Sequence, residues 1–216
     1  MNLQLQPTPT EIVYPDSDGK PMAENTLQFQ WIMTIQGNLD ALFREDANVF
    51  VAGDNLIYPK EADISICQAP DVYVAFGRPK GYRGSYKVWA EGNLFPQVIF
   101  EILSPNNSRT EMHNKRQFYR RYGAEEYYVY DPDVCLFEGW LRDGNRFVEI
   151  GDLNGFVSPR LGIRFDTSGP ELVVYKPNGE RFLTFVELAH LAMTEKVRSE
   201  KLAAKLRELG IDPDTL

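Results

Sequence analysis

The chain has 216 residues, 43% of them apolar, which is enough for one substantial core and too little for a second domain of similar size. A formal charge of −8 and a pI near 4.9 exclude a protein that coats nucleic acid through a globally basic surface, although a local cationic groove stays open. No basic start leads into an apolar stretch and no run nears ~18 apolar residues, so neither export nor a membrane span is expected, and a cytoplasmic protein is.

In chain order, residues 1–22 are rich in Pro, Gln, Thr and Asp without periodicity, and are expected to form an extended N-terminal arm. Leu27, Trp31, Ile35, Leu39, Leu42 and Phe43 then recur at helical spacing and predict a helix over 24–44 buried on one face. Val49 to Ile57, broken by Gly53-Asp54, and Val72 to Phe76 read as strands. Between this pair and the next strand, Gly77 to Gly92 holds four glycines and the cations Arg78, Lys80, Arg83 and Lys87, a composition suited to a mobile cationic loop near a polyanion. Gln97 to Leu103 is the third strand. A turn cluster follows, with a cap at Ser108 or Thr110, and then a helix ended by Gly123. Tyr127 to Tyr130 is a fourth strand, stopped by Asp131-Pro132-Asp133, and Val134–Leu141 with Arg146–Ile150 form a hairpin. Gly162–Phe165 and Leu172–Tyr175 are expected to continue the sheet. Phe185 to Leu209 carries Leu188, Leu191, Val197, Leu202 and Leu206 among charges, as a long amphipathic helix does. Cys67 and Cys135 stand in separate apolar segments without metal-ligand spacing, so buried free thiols are expected.

Three charges sit in or beside apolar runs: Asp71 before Val72–Phe76, Glu101 within Val98–Leu103, and Lys115 on the following helix. Burying a lone carboxylate costs several kcal/mol unless it is paired or bound to a cation. Two acids on neighbouring strands would seat a hard divalent ion, Mg²⁺ or Mn²⁺, and a nearby lysine would neutralise charge developing on a phosphate.

The order Pro70-Asp71-Val72, Val98-Ile99-Phe100-Glu101-Ile102-Leu103-Ser104-Pro105, Lys115 with Tyr119, Tyr122-Gly123 and Glu126-Tyr127-Tyr128-Val129-Tyr130-Asp131-Pro132 resembles the Uma-type putative restriction endonuclease family, within the PD-(D/E)XK nuclease superfamily. The resemblance spans roughly Ala23 to Leu141. It implies an α/β (α+β) fold, a restriction-endonuclease-like mixed β-sheet flanked by helices, with Asp71 and Glu101 as metal ligands around Mg²⁺. The superfamily's usual lysine lies two residues beyond the second acid, where this chain has Leu103, and Lys115 is the relocated substitute. A further superfamily acid on the first helix could match Glu24 or Asp40, but no local motif fixes either, and both are left outside the site.

The domain plan is thus an arm (1–22), a nuclease-like domain (23–184) and a C-terminal amphipathic helix (185–216). That helix either packs back on the domain or pairs with a second copy, giving a homodimer suited to two DNA strands. The expected activity is metal-dependent hydrolysis of DNA phosphodiester bonds, with Asp71, Glu101 and Lys115 as catalytic residues. Two other readings stand beside it. A catalytically silent nucleic-acid-binding or protein-interaction module would keep the fold and use Glu101 and Lys115 only as a salt bridge, and Asp71 only to open a strand. An assembly protein would depend on the terminal helix. Of the basic residues Arg116, Arg120 and Arg121, helical geometry lets one or two face a groove.

Overall fold

The structure, a computed structural model, describes residues 12–17, 19, 22–210 and 212–213. Its elements in order are α1 (Thr26–Leu42), β1 (Val49–Ala52), β2 (Ile57–Tyr58), β3 (Val72–Phe76), β4 (Tyr86–Lys87), β5 (Val98–Ile102), α2 (Arg109–Tyr122), β6 (Glu126–Asp131), β7 (Leu136–Asp143), β8 (Arg146–Glu149), β9 (Arg164–Asp166), β10 (Val173–Tyr175) and α3 (Phe185–Glu208).

A six-stranded sheet runs in the order β1-β3-β5-β6-β7-β8. Only β5 and β6 are parallel, because α2 crosses between them; the other neighbours are antiparallel. The alternation of side chains along each strand sorts the core into two layers. Val72, Val74, Val98, Phe100, Ile102 and Tyr128 pack with Ile32, Ile35 and Leu39 of α1. Tyr73, Ala75, Ile99, Tyr127 and Val129 pack with Tyr119 of α2 and Trp140 on the opposite face. Asn25 caps α1 through Gln28 N–H, and Ser108 caps α2 through Glu111 N–H.

Several expectations change. The segments of β9 and β10 form their own two-stranded sheet rather than extending the main one. The strand expected over 49–57 is split: β1 joins the main sheet, while β2 pairs in parallel with β4, which the sequence pattern did not suggest. The loop 77–92 uses three of its cations internally. Arg83 pairs with Glu91 at 2.5 Å and covers the Phe50 ring, Lys80 bonds Asp40 at 3.3 Å, and Lys87 lies over Tyr14. Part of the expected arm falls outside the described residues, but its Tyr14 packs against Tyr58 and Trp89, and Tyr58 donates to the Pro15 carbonyl. Among the described residues neither cysteine forms a disulfide, and both are half-buried rather than enclosed.

α3 begins with a capping box between Thr184 and Glu187 and then runs for 24 residues without burying one of them. Of the two alternatives for this helix, packing back on the domain is not what the structure shows: its start is tied to α1 by Asn38 on both backbone groups of Leu183, and its apolar face stays exposed.

Candidate active site

The β3–β5 register sets Val72 against Phe100, so the next pair outward is Asp71 against Glu101. Asp71 Oδ2 accepts a hydrogen bond from the Ile102 N–H at 2.6 Å. Glu101 alternates with Val98, Phe100 and Ile102 and therefore points to the α2 face. There Lys115 and Tyr119, one helical turn apart, meet it. Lys115 Nζ stands 2.8 Å from Oε2, and the Tyr119 hydroxyl donates to Oε1 at 2.6 Å. Glu101 is 2% exposed. The structure thus brings the three sequence-selected residues together, Asp71 and Lys115 lining a cleft of about 700 Å³ and Glu101 enclosed by its partners.

The backbone at Asp71 is positioned by a glycine. A Cβ at Gly53 would fall 2.0 Å from the Asp71 carbonyl oxygen, so no other residue lets the β1–β2 connection pass this closely. The next residue, Asp54, adopts a left-handed conformation and donates its N–H to the Pro70 carbonyl at 2.9 Å.

Glu24 is the residue sequence reasoning left out. It stands just before the α1 cap and lines the same cleft, where Ser104 Oγ donates to its Oε2. Its own N–H donates to Gln28 Oε1 at 2.8 Å, and Gln28 Nε2 donates to the Ile102 carbonyl at 2.8 Å, tying the start of α1 to the end of β5. Asp40, the other candidate, sits on the exposed flank with Lys80. The usable signal was position: Glu24 precedes the cap residue Asn25 and so sits at the mouth of the helix. Leu103, where the resemblance implies a lysine, lines a different groove on the far side of α2.

Electrostatically the site is short of positive charge. Burial pushes the Asp71 carboxyl up to about 8, and Glu101 adds to this; Lys115 and the Ile102 N–H pull the other way without winning. Burial lowers the Lys115 ammonium, but Glu101 and Asp71 outweigh it and hold it above its ordinary value, so it stays charged. Asp54, Glu24 and Glu111 add further carboxylates to the cleft wall. Among the described residues no three His, Cys, Asp or Glu side chains converge to hold a metal ion by themselves. That suits Mg²⁺, which takes one or two carboxylates and fills its remaining positions with water and substrate phosphate. Asp71 Oδ1 and the unused lone pairs of Glu101 are hard oxygen donors of the kind such an ion takes.

The sequence profile of the family described as Uma2, putative restriction endonuclease, matches residues 3–168. No curated protein matches the chain. Among solved structures, a "putative nuclease belonging to DUF820 from Anabaena variabilis ATCC 29413" superposes with a TM-score of 0.42 at 14% identity, covering 65% of this chain and 74% of that one.

Proposed function

The chain belongs to the Uma2 family of putative restriction endonucleases, and on that premise we propose that it is a metal-dependent DNA endonuclease with Asp71, Glu101 and Lys115 as its catalytic residues. The observation that carries this reading is the meeting of Asp71, Glu101 and Lys115 beside a cleft of about 700 Å³, with the Asp71 carboxyl raised by burial and by Glu101. When bound, Mg²⁺ or Mn²⁺ supplies Lewis-acid polarisation of the phosphate and lowers the pKa of a water. Asp71 and Glu101 hold the ion. Lys115, kept charged and fixed by Glu101, aims its ammonium at the negative charge that grows on the phosphate oxygens during attack. Tyr119 holds the other Glu101 oxygen and so fixes the carboxylate's rotation. Glu24, steadied by Ser104, faces the cleft as an acceptor for water near the attacked phosphorus. Finer points of the same reading are a cytoplasmic setting, in keeping with two cysteines outside any disulfide, and pairing of two copies through the exposed leucines of α3.

The test is cleavage of supercoiled plasmid and of single-stranded DNA in Mg²⁺ or Mn²⁺ by the wild type beside Asp71→Asn, Glu101→Gln and Lys115→Met. Metal-dependent nicking lost in all three is expected. One observation favours the silent module: both Glu101 oxygens are already engaged by Lys115 and Tyr119, as in a purely structural ion pair. Absence of both cleavage and calorimetric metal binding in the wild type would move the assignment there.

A further inference from the structure

α2 divides two depressions. Its inner face, with Lys115, walls the cleft described above. Its outer face carries Arg109, His113 and Arg116, at helical spacing along a second groove of about 610 Å³ whose floor is the β6–β7 face of the sheet. The two depressions meet at Asn107, which lines both, just ahead of the α2 cap. Arg109 and His113 are one turn apart, about 6 Å of helix, and Arg116 follows a turn further along the same face.

The floor holds an unanswered polar group. Tyr127 is 1% exposed and lines the groove, yet its hydroxyl has no hydrogen-bond partner among the described residues. A buried donor left unpaired is costly, and native folds seldom keep one without a use. Arg116 sits over the Trp140 ring at 4.4 Å from its centre, which leaves the outer face of the guanidinium as a stacking platform. The groove's remaining polar groups are Glu138 and Asp131, both carboxylate acceptors.

We propose that this groove binds an unpaired nucleotide of the substrate strand, its base stacked on Arg116 and its edge read by Tyr127 and Glu138. A carboxylate accepts from exocyclic amino groups, so bases that carry one are favoured over thymine. The Arg109 guanidinium and a ring N–H of His113 hold the adjoining phosphates as the strand passes over Asn107 into the cleft. A base pair inside a duplex cannot present its edge here, so the preferred substrate is single-stranded or locally unpaired DNA. This inference rests on the nuclease reading of the adjoining cleft for the identity of its strand.

The experiment is fluorescence anisotropy of the full chain with labelled short homopolymers of dC, dA and dT in EDTA, so that binding is read without cleavage. Binding of dC and dA above dT is expected, weakened about tenfold by Arg116→Ala and roughly fivefold by Tyr127→Phe or Glu138→Gln. Tyr127→Phe removes only the unpartnered hydroxyl, so its melting temperature stays at or above that of the wild type while its binding falls. Asp71→Asn abolishes cleavage but keeps this binding, which separates failure of the nuclease reading from failure of the groove. The proposal is overturned by any of these results: equal affinity for dT, indifference to the three groove variants, equal affinity for the matching duplex, or competition by free dCMP as strong as by the strand.

Discussion

Removing Lys115 separates a charge partner from a bystander. Its ammonium is 2.8 Å from Glu101 Oε2, with side-chain exposures of 16% and 2%, so the pair lies almost wholly out of water. Lys115→Met keeps most of the stem's volume but leaves Glu101 with the Tyr119 hydroxyl alone. Breaking a buried pair from one side costs about 3–5 kcal/mol, because the surviving charge is left unsolvated. For a chain of this size a loss of that order lowers the melting temperature by about 2–4 °C per kcal/mol. A second change, Glu101→Gln in the same background, removes the stranded charge and recovers much of the loss. The sum of the single effects therefore exceeds the double effect, and a double-mutant cycle by urea titration in EDTA reads the coupling directly. A divalent ion brings back the missing positive charge, so Mn²⁺ stabilises Lys115→Met by more than it stabilises the wild type. If Lys115→Met melts within ~1 kcal/mol of the wild type, or if the two substitutions are additive, the ion pair does not hold the site and the argument from buried charge fails.

Asp71 gives a pH signature. Its folded value of about 8 lies above the unfolded 3.8, so between these values the native state holds a proton that the unfolded chain has lost. Metal-free stability therefore falls as pH rises from about 4 to 8, each unit of separation being worth about 1.4 kcal/mol at most; Asp71→Asn flattens that slope, and urea midpoints across the range with and without the substitution check it. Gly53→Ala places a Cβ against the Asp71 carbonyl, with a cost of about 1–3 kcal/mol and a displaced carboxylate, to be read as lower stability together with weaker Mn²⁺ binding by calorimetry. Ending the chain after Glu187 removes a helix with no buried residue, so the melting temperature of the remainder stays within ~2 °C. Sedimentation of the two lengths then reports on pairing through α3: a full-length chain that remains monomeric at all concentrations ends that part of the proposal.

Element types were legible where local chemistry and tertiary context agree, as in α2, where the Ser108 cap and Gly123 bound the helix on both sides. Partners were less legible. β9 and β10 have strand-like residues, but period-two alternation says nothing about which edge a strand joins. The cationic loop misled for a related reason. Arg83 pairs with Glu91 of the same loop and covers Phe50 of β1; the loop's composition contains that acid but does not say which cation it neutralises, and Phe50 lies outside the loop. Within the site, the buried-charge signal found Asp71, Glu101 and Lys115, but it also fits a residue with a different role. Glu126 opens β6, is 1% exposed and has its carboxyl raised by burial, as Asp71 does. Its oxygens, however, accept from Tyr128 OH at 2.9 Å, from Ser158 OH at 2.5 Å and from the Arg160 N–H at 2.6 Å. Three donors satisfy that carboxylate without a cation, and it faces Ser158 and the Arg160 backbone rather than the cleft. Among the described residues Asp71 receives one hydrogen bond on its carboxylate; it lines the cleft and shares its low-dielectric surroundings with a second acid. Sequence identifies a carboxylate that needs a partner; the count of donors in the fold decides which one still lacks it, and that is why the metal test belongs at Asp71.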